Sequence, residues 1–166
     1  MMKEINHSEL NENMFNAIGR NWMLLTAGDK DKLNTMTISW GCTGILWNKP
    51  VALVFVRPQR YTKEFIDNGD YFTMSGYSDE MRSAVKFCGR NSGKDVDKIK
   101  ETGLIPVFDE KAPYFKQAKI VLVCRKLYAQ QLSEDCIIDK SLLDYYKDND
   151  YHTMYVAEIV KVLIDE

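Results

Sequence analysis

Histidine is scarce in this chain of 166 residues: there are only two, His7 and His152. Cysteine occurs four times, at positions 42, 88, 124 and 136, with no C-x-x-C pair. Two distant histidines and scattered thiols leave no spacing for a structural zinc site. A disulfide framework is not needed either, because 45% hydrophobic residues can build a core without one. The thiols are therefore expected to be reduced and mostly buried. Neither sign of charge dominates, with 22 Lys and Arg against 24 Asp and Glu and a net charge of -2. Without a basic stripe, no nucleic-acid partner is expected. The longest apolar runs, such as Val51–Val56, fall far short of the roughly 20 residues that a membrane helix needs, so no membrane partner is expected. Residues 1–19 carry acidic and amide side chains in place of a basic segment and an apolar one, and a cytoplasmic location is expected.

Two nucleotide motifs are missing as well. No G-x-G-x-x-G occurs, which excludes a Rossmann site. Gly89 to Asp95 imitates a phosphate loop, but it has one residue too few between its glycines. Asp95 also stands where the magnesium-binding hydroxyl belongs. No serine, cysteine and histidine form a recognisable nucleophile motif. If the protein is an enzyme, a cofactor does the chemistry and the chain supplies position and charge.

What is present centres on Asn34-Thr35-Met36-Thr37-Ile38-Ser39-Trp40-Gly41. As a strand it sets Thr35, Thr37 and Ser39 on one face and Met36, Ile38 and Trp40 on the other. A row of hydroxyls calls for something polar against it, or else for water. Val51–Val56 reads as a buried strand that stops at Arg57-Pro58 and leads into Arg60-Tyr61-Thr62. Two arginines and a threonine where a strand gives way to a helix can hold an anion. The same residues can equally be a solvated strand end.

In chain order, Ser8 can cap a helix through Leu10, Met14, Phe15 and Ile18 that ends at Gly19. Trp22–Gly28, the charged turn 29–32 and the strand from Leu33 suggest a hairpin. Cys42–Pro50 reads as a loop or irregular strand. Thr62–Gly69 and 79–87 read as helices, and Tyr71–Ser75 as a strand. Asp95 can cap a helix over 96–102. Short extended pieces at 104–108 and 113–115 read as a surface region. Ala118–Leu132 and His152–Ile164 are long strands, with a small helix from Asp139 between them. Strands joined by turns, without regular helical crossovers, indicate a mostly antiparallel, barrel-like core in a single domain spanning 1–166.

The runs N-T-M-T-I-S-W-G and P-V-A-L-V-F-V-R-P-Q-R-Y-T resemble the flavin reductase-like proteins, close to the flavoredoxin branch. Ser92-Gly93-Lys94-Asp95-Val96-Asp97-Lys98 is similar to the S-G-x-D-x-D-K segment of that branch. His152 to Ile159 is similar to its closing H-x-x-(aromatic)-x-(small)-E-(aliphatic) strand. The resemblance runs from about Trp22 to Val162. It implies a mostly β fold: the FMN-binding split β-barrel, antiparallel and Greek-key-like, with short peripheral helices. It also implies a homodimer with flavin sites at the subunit interface.

Under that resemblance, Arg57, Arg60 and Thr62 meet the FMN phosphate, and Tyr61 is a further cofactor-binding residue. Asn34, Met36, Thr37, Ser39 and Trp40 serve the ribityl chain and the ring. Asn34 can also simply shape a turn, and Trp40 and Trp47 can be core residues. Lys98 adds charge near the phosphate, contacts a nicotinamide dinucleotide, or is only solvated. His152 is the catalytic candidate beside flavin and nicotinamide, against the plainer reading of a satisfied structural histidine. No metal is expected. The expected activity is NAD(P)H-dependent flavin reduction, with hydride going to the flavin N5 and electrons on to a redox protein or free flavin. The alternatives are a flavoredoxin-type electron carrier with bound FMN and a protein partner, and a non-catalytic flavin binder.

Overall fold

The computed structural model describes residues 2–165. In chain order it contains β1 (Met2–Ile5), a 3-10 turn (His7–Glu9), a π-helical turn (Phe15–Asn21), β2 (Met23–Gly28), β3 (Leu33–Ile38), β4 (Gly41–Leu46) and β5 (Lys49–Val56). There follow α1 (Thr62–Asn68), β6 (Tyr71–Gly76), α2 (Arg82–Arg90), α3 (Lys98–Thr102), β7 (Pro106–Val107) and β8 (Tyr114–Phe115). The chain closes with β9 (Ile120–Gln131), a 3-10 segment (Lys140–Tyr146) and β10 (Thr153–Asp165). Strands dominate, every strand pairing is antiparallel and the helices are short, as the sequence implies. No helix among the described residues is long and apolar enough to cross a membrane.

The main sheet runs β3-β2-β6-β9-β10-β5-β4, with β1 added to the far end of β10. Period-2 alternation puts Met36 and Ile38, Met23 and Leu25, Phe72 and Met74, Leu122 and Cys124, and Val54 and Val56 into one core. The opposite face of the β2–β6–β9 region is covered too. There Leu24 packs with Val85 and Cys88 of α2 and with Leu104 and Phe115. The stretch 104–115 is only partly a surface region: Leu104 and Phe115 are almost fully buried against the sheet, while Ile105 and Phe108 are exposed.

The ends of the sheet, β3 and β4, are consecutive in the chain but do not pair. Only Ser39 and Trp40 join them. This is the split in the barrel, and Ile18 from the π-helical turn packs beneath it against Gly41. The helix expected over Leu10–Ile18 is replaced by the two separate turns, and Gly19 lies inside the second. The loop read into Cys42–Pro50 is a hairpin instead. Trp47 and Asn48 both adopt positive φ, which matches a tight two-residue turn. Two of the four thiols, Cys88 and Cys124, are buried; Cys42 and Cys136 are exposed, and all four are free.

The hydroxyl row of β3 is satisfied inside the protein. Thr35 Oγ1 lies 2.9 Å from Thr26 Oγ1 and donates to Leu25 O at 3.3 Å, with both side chains fully buried. With the Thr35 proton on Leu25 O, Thr26 must donate to Thr35. Thr35→Val therefore orphans a buried donor, at about 1–3 kcal/mol, whereas Thr26→Val leaves the remaining bond intact. Urea unfolding of both variants is expected to show Thr35→Val as the less stable. The reverse order would overturn this assignment.

Candidate functional site

The site is built on the last turn of α2. Ala84, Val85 and Cys88 bury one side of this helix, and its final carbonyls point at β3 and at the loop after β5. Val85 O accepts the Thr37 hydroxyl. Cys88 O accepts Lys98 Nζ at 2.9 Å, and Gly89 O accepts Arg60 Nη1 at 2.9 Å. Cations at the negative end of a helix are favourably placed. Gly89 is needed for the close approach, since a Cβ there would stand 2.9 Å from Thr37. Lys98 also donates to Thr35 O at 2.7 Å and is only 5% exposed. Burial pushes its ammonium down to about 8; the Cys88 thiol opposes this and Arg60 adds to it.

Beside this turn, at the split, lies a cleft of about 280 Å³ lined by Met36, Thr37, Ser39, Trp40, Phe55, Arg57, Arg60 and His152. Its two guanidinium groups differ. Arg57 is neutralised by Asp150 at 2.5 Å, donates to Tyr145 O at 3.0 Å and lies 5.3 Å above the Tyr146 ring. Gln59 and Arg57 together hold the Asp150 carboxyl below its usual range. Arg60 has no carboxylate partner among the described residues; its side chain donates to Gly89 O, and burial lowers its pKa.

His152 immediately precedes β10 and is 7% exposed. Its Nδ1 lies 2.9 Å from Tyr146 Oη, and its ring is 5.0 Å from that of Trp40. Burial first, and Arg57 second, push the imidazole down to about 4 against the opposing pull of Asp150. It is therefore neutral near pH 7.

Of the residues singled out in the sequence, Met36, Thr37, Ser39, Trp40, Arg57, Arg60 and His152 meet at this cleft. Asn34 and Thr62 sit deeper and bond to each other at 2.9 Å. Asn34 and Lys98 line a neighbouring depression of about 360 Å³. A Cβ on Gly93 would fall 2.1 Å from Asn34 Oδ1, so only glycine lets that loop lie against Asn34. Tyr61 is outside the cleft, its ring 5.1 Å from Phe65 with Lys94 over it. The capping aspartate of α3 is Asp97 rather than Asp95, accepting from Ile99 N and Lys100 N. Trp47 lies 56% exposed on its turn. Phe55, Asp150 and Tyr146 were not singled out. Phe55 is legible only as one member of a buried strand, and nothing in the spacing marks the other two.

The family model for the flavin reductase like domain matches residues 15–166. No curated protein matches the chain. Among solved structures, it is similar to flavoredoxin from Methanosarcina acetivorans at 25% identity, over 88% of this chain and 69% of that one, with a TM-score of 0.68. It is similar to flavoredoxin of Desulfovibrio vulgaris (Miyazaki F) at 23% identity, over 87% and 69%, with a TM-score of 0.68. An FMN-binding domain of a flavin reductases-like enzyme from Shewanella baltica OS155 shares the fold at 15% identity, over 99% and 78%, with a TM-score of 0.72.

Two expectations test this arrangement. Lys98→Met leaves Thr35 O and Cys88 O buried without a donor, so it should lower stability by about 2–4 kcal/mol. A loss within about 0.5 kcal/mol would show Lys98 to be an ordinary surface lysine. His152 titrates near 6.5 when unfolded and near 4 when folded. Between these values the unfolded chain binds more protons, so stability falls as pH drops from about 6.5 to about 4. Unfolding curves of His152→Gln should be flatter than wild type across that window.

Proposed function

The chain belongs to the flavin reductase like domain family, and on that premise we propose that it is an FMN-binding oxidoreductase that takes hydride from NAD(P)H and passes electrons to a second acceptor. The observation that carries this reading is Arg60. A half-buried guanidinium, held in place by a carbonyl and lacking a carboxylate, offers its remaining donors to an anion at the edge of the cleft. Phosphate suits it, because a guanidinium pairs two oxygens at once.

The residues present fit FMN. Arg60 takes the phosphate, with Thr62 and Asn34 behind it. The glycine at 93, which a Cβ would fill, leaves room beside Asn34. Thr37, Ser39 and Trp40 run along the cleft where the ladder with β2 has ended at Ile38. Phe55 and Trp40 supply flat apolar surface. Arg57, already paired with Asp150, shapes the wall and contributes no free charge. His152, uncharged, is a hydrogen-bonding group and not a cation at the ring end. FMN, when bound, supplies the capacity to accept hydride from a reduced nicotinamide and to release electrons to a protein or free-flavin acceptor.

In this reading residues 1–166 form one domain and the protein works as a homodimer. The edge strand β4 supports this, with Ile45 69% exposed on it and Trp47 56% exposed on the turn that follows. A second reading, a flavoredoxin-type electron carrier with a protein partner, is favoured by the 25% identity to the flavoredoxin from Methanosarcina acetivorans.

Anaerobic addition of NADH or NADPH to the FMN-loaded protein separates the two, since bleaching supports the reductase and retained colour the carrier. For the site, Arg60→Ala removes charge-assisted bonds worth roughly 1.5–3 kcal/mol. FMN affinity should fall about ten- to a hundredfold, while riboflavin, which lacks the phosphate, should be almost unaffected. Equal losses for both would assign Arg60 to the fold.

A further inference from the structure

The contact between His152 and Tyr146 is buried, polar and outside the roles assigned so far. Both side chains are 7% exposed, and Tyr146 Oη has no hydrogen-bond partner among the described residues other than His152 Nδ1. One proton must lie between the two atoms. If Nδ1 carried it, the tyrosine hydroxyl proton would be left in a buried place without an acceptor, at a cost comparable to a lost hydrogen bond. With the hydroxyl donating, both atoms are satisfied by one bond.

We propose that Tyr146 is a positioning residue whose hydroxyl holds His152 as the Nε2–H tautomer, so that the imidazole presents a fixed hydrogen-bond donor to an acceptor atom on the ring end of the ligand. This deepens, and rests on, the flavin reading above. Nε2 makes no hydrogen bond among the described residues, and His152 lines the cleft. The tyrosine is itself clamped. Its ring stacks on Tyr151 at 4.6 Å and 20°, and Arg57 lies over it at 5.3 Å. Arg57 is anchored in turn by Asp150 and Tyr145 O.

The charged and titratable groups around the imidazole are Arg57 after β5, Asp150 and Tyr151 in the turn before β10, and Tyr145 and Tyr146 from the 3-10 segment. Arg60 shares the cleft wall with His152, and the β3–β4 link brings the uncharged Ser39 and Trp40. Burial raises the pKa of Tyr146 and lowers that of His152. Both changes keep the pair as phenol and neutral imidazole, the state in which the tautomer carries information.

The test is direct because the chain has two histidines. Long-range proton–nitrogen correlation spectra of the ligand-free protein at pH 7, assigned with His7→Gln, report which ring nitrogen of His152 is protonated. Nε2–H is expected as the single state in the wild type; Nδ1–H would overturn the proposal even if no variant folds. In Tyr146→Phe the Nδ1 signal should shift toward that of an unbonded acceptor. FMN and riboflavin affinities should both fall about three- to tenfold, unlike the phosphate-selective loss in Arg60→Ala. Unchanged shifts and affinities within twofold would remove Tyr146 from the site. Tyr151→Phe keeps the stack and should leave the His152 shifts unmoved; an equal change there would make the effect one of packing. A wild-type protein that binds no flavin would sink the flavin reading, while the spectra would still decide the tautomer.

Discussion

The carbonyl end of α2 is the constraint on which the site depends. Three side chains from three separate parts of the chain converge on Val85 O, Cys88 O and Gly89 O: the hydroxyl of Thr37, the ammonium of Lys98 and the guanidinium of Arg60. Two like charges would not settle so close without a counter-charge, and among the described residues no carboxylate pairs with either. The helix terminus and the carbonyls supply the negative potential. It is partial, so the two cations together remain under-compensated.

The opening in the barrel sets Arg60 in the wall of the cleft, beside Ser39 and Trp40. β3 and β4 follow one another in sequence yet lie at opposite ends of the hydrogen-bonded order, linked by Ser39 and Trp40 alone. An unpaired strand end normally invites water or aggregation. Here one side of the gap is filled by Ile18 and the other is left as the cleft, with Trp40 leaning toward His152 and Tyr145. Pairing is given up at one place, and the polar groups of the site gather there.

Much of this was legible in the sequence and some was not. Alternation in Leu33–Ile38 fixes which side chains enter the core, because period 2 is a backbone property. The same alternation cannot say what the hydroxyls face, and Thr35 and Thr37 turned out to be satisfied by Thr26, Leu25 O and Val85 O. Lys98 lies in a segment of charged residues whose solvation looks certain until the fold buries it. Asp95 and Asp97 are equally good capping residues by type, and the helix begins after the second. Tyr146 is six residues from His152, a spacing with no periodic meaning in a 3-10 segment followed by a turn. Only three-dimensional contact identifies it.

Because the acceptors on α2 are main-chain atoms, the identities of most of its side chains are irrelevant to the grip on Arg60 and Lys98. Position along the helix is what matters. Each residue added or removed turns the later carbonyls by about 100° and moves them about 1.5 Å. One inserted residue ahead of Val85 would aim all three carbonyls away from their donors at once. Outward-facing side chains of α2 do not enter this grip, although Arg82 bonds Arg20 O and Asn21 O elsewhere. Gly89 is the exception, for it alone has a neighbour too near to admit a side chain. In this helix the length of the sequence, more than its lettering, encodes the site.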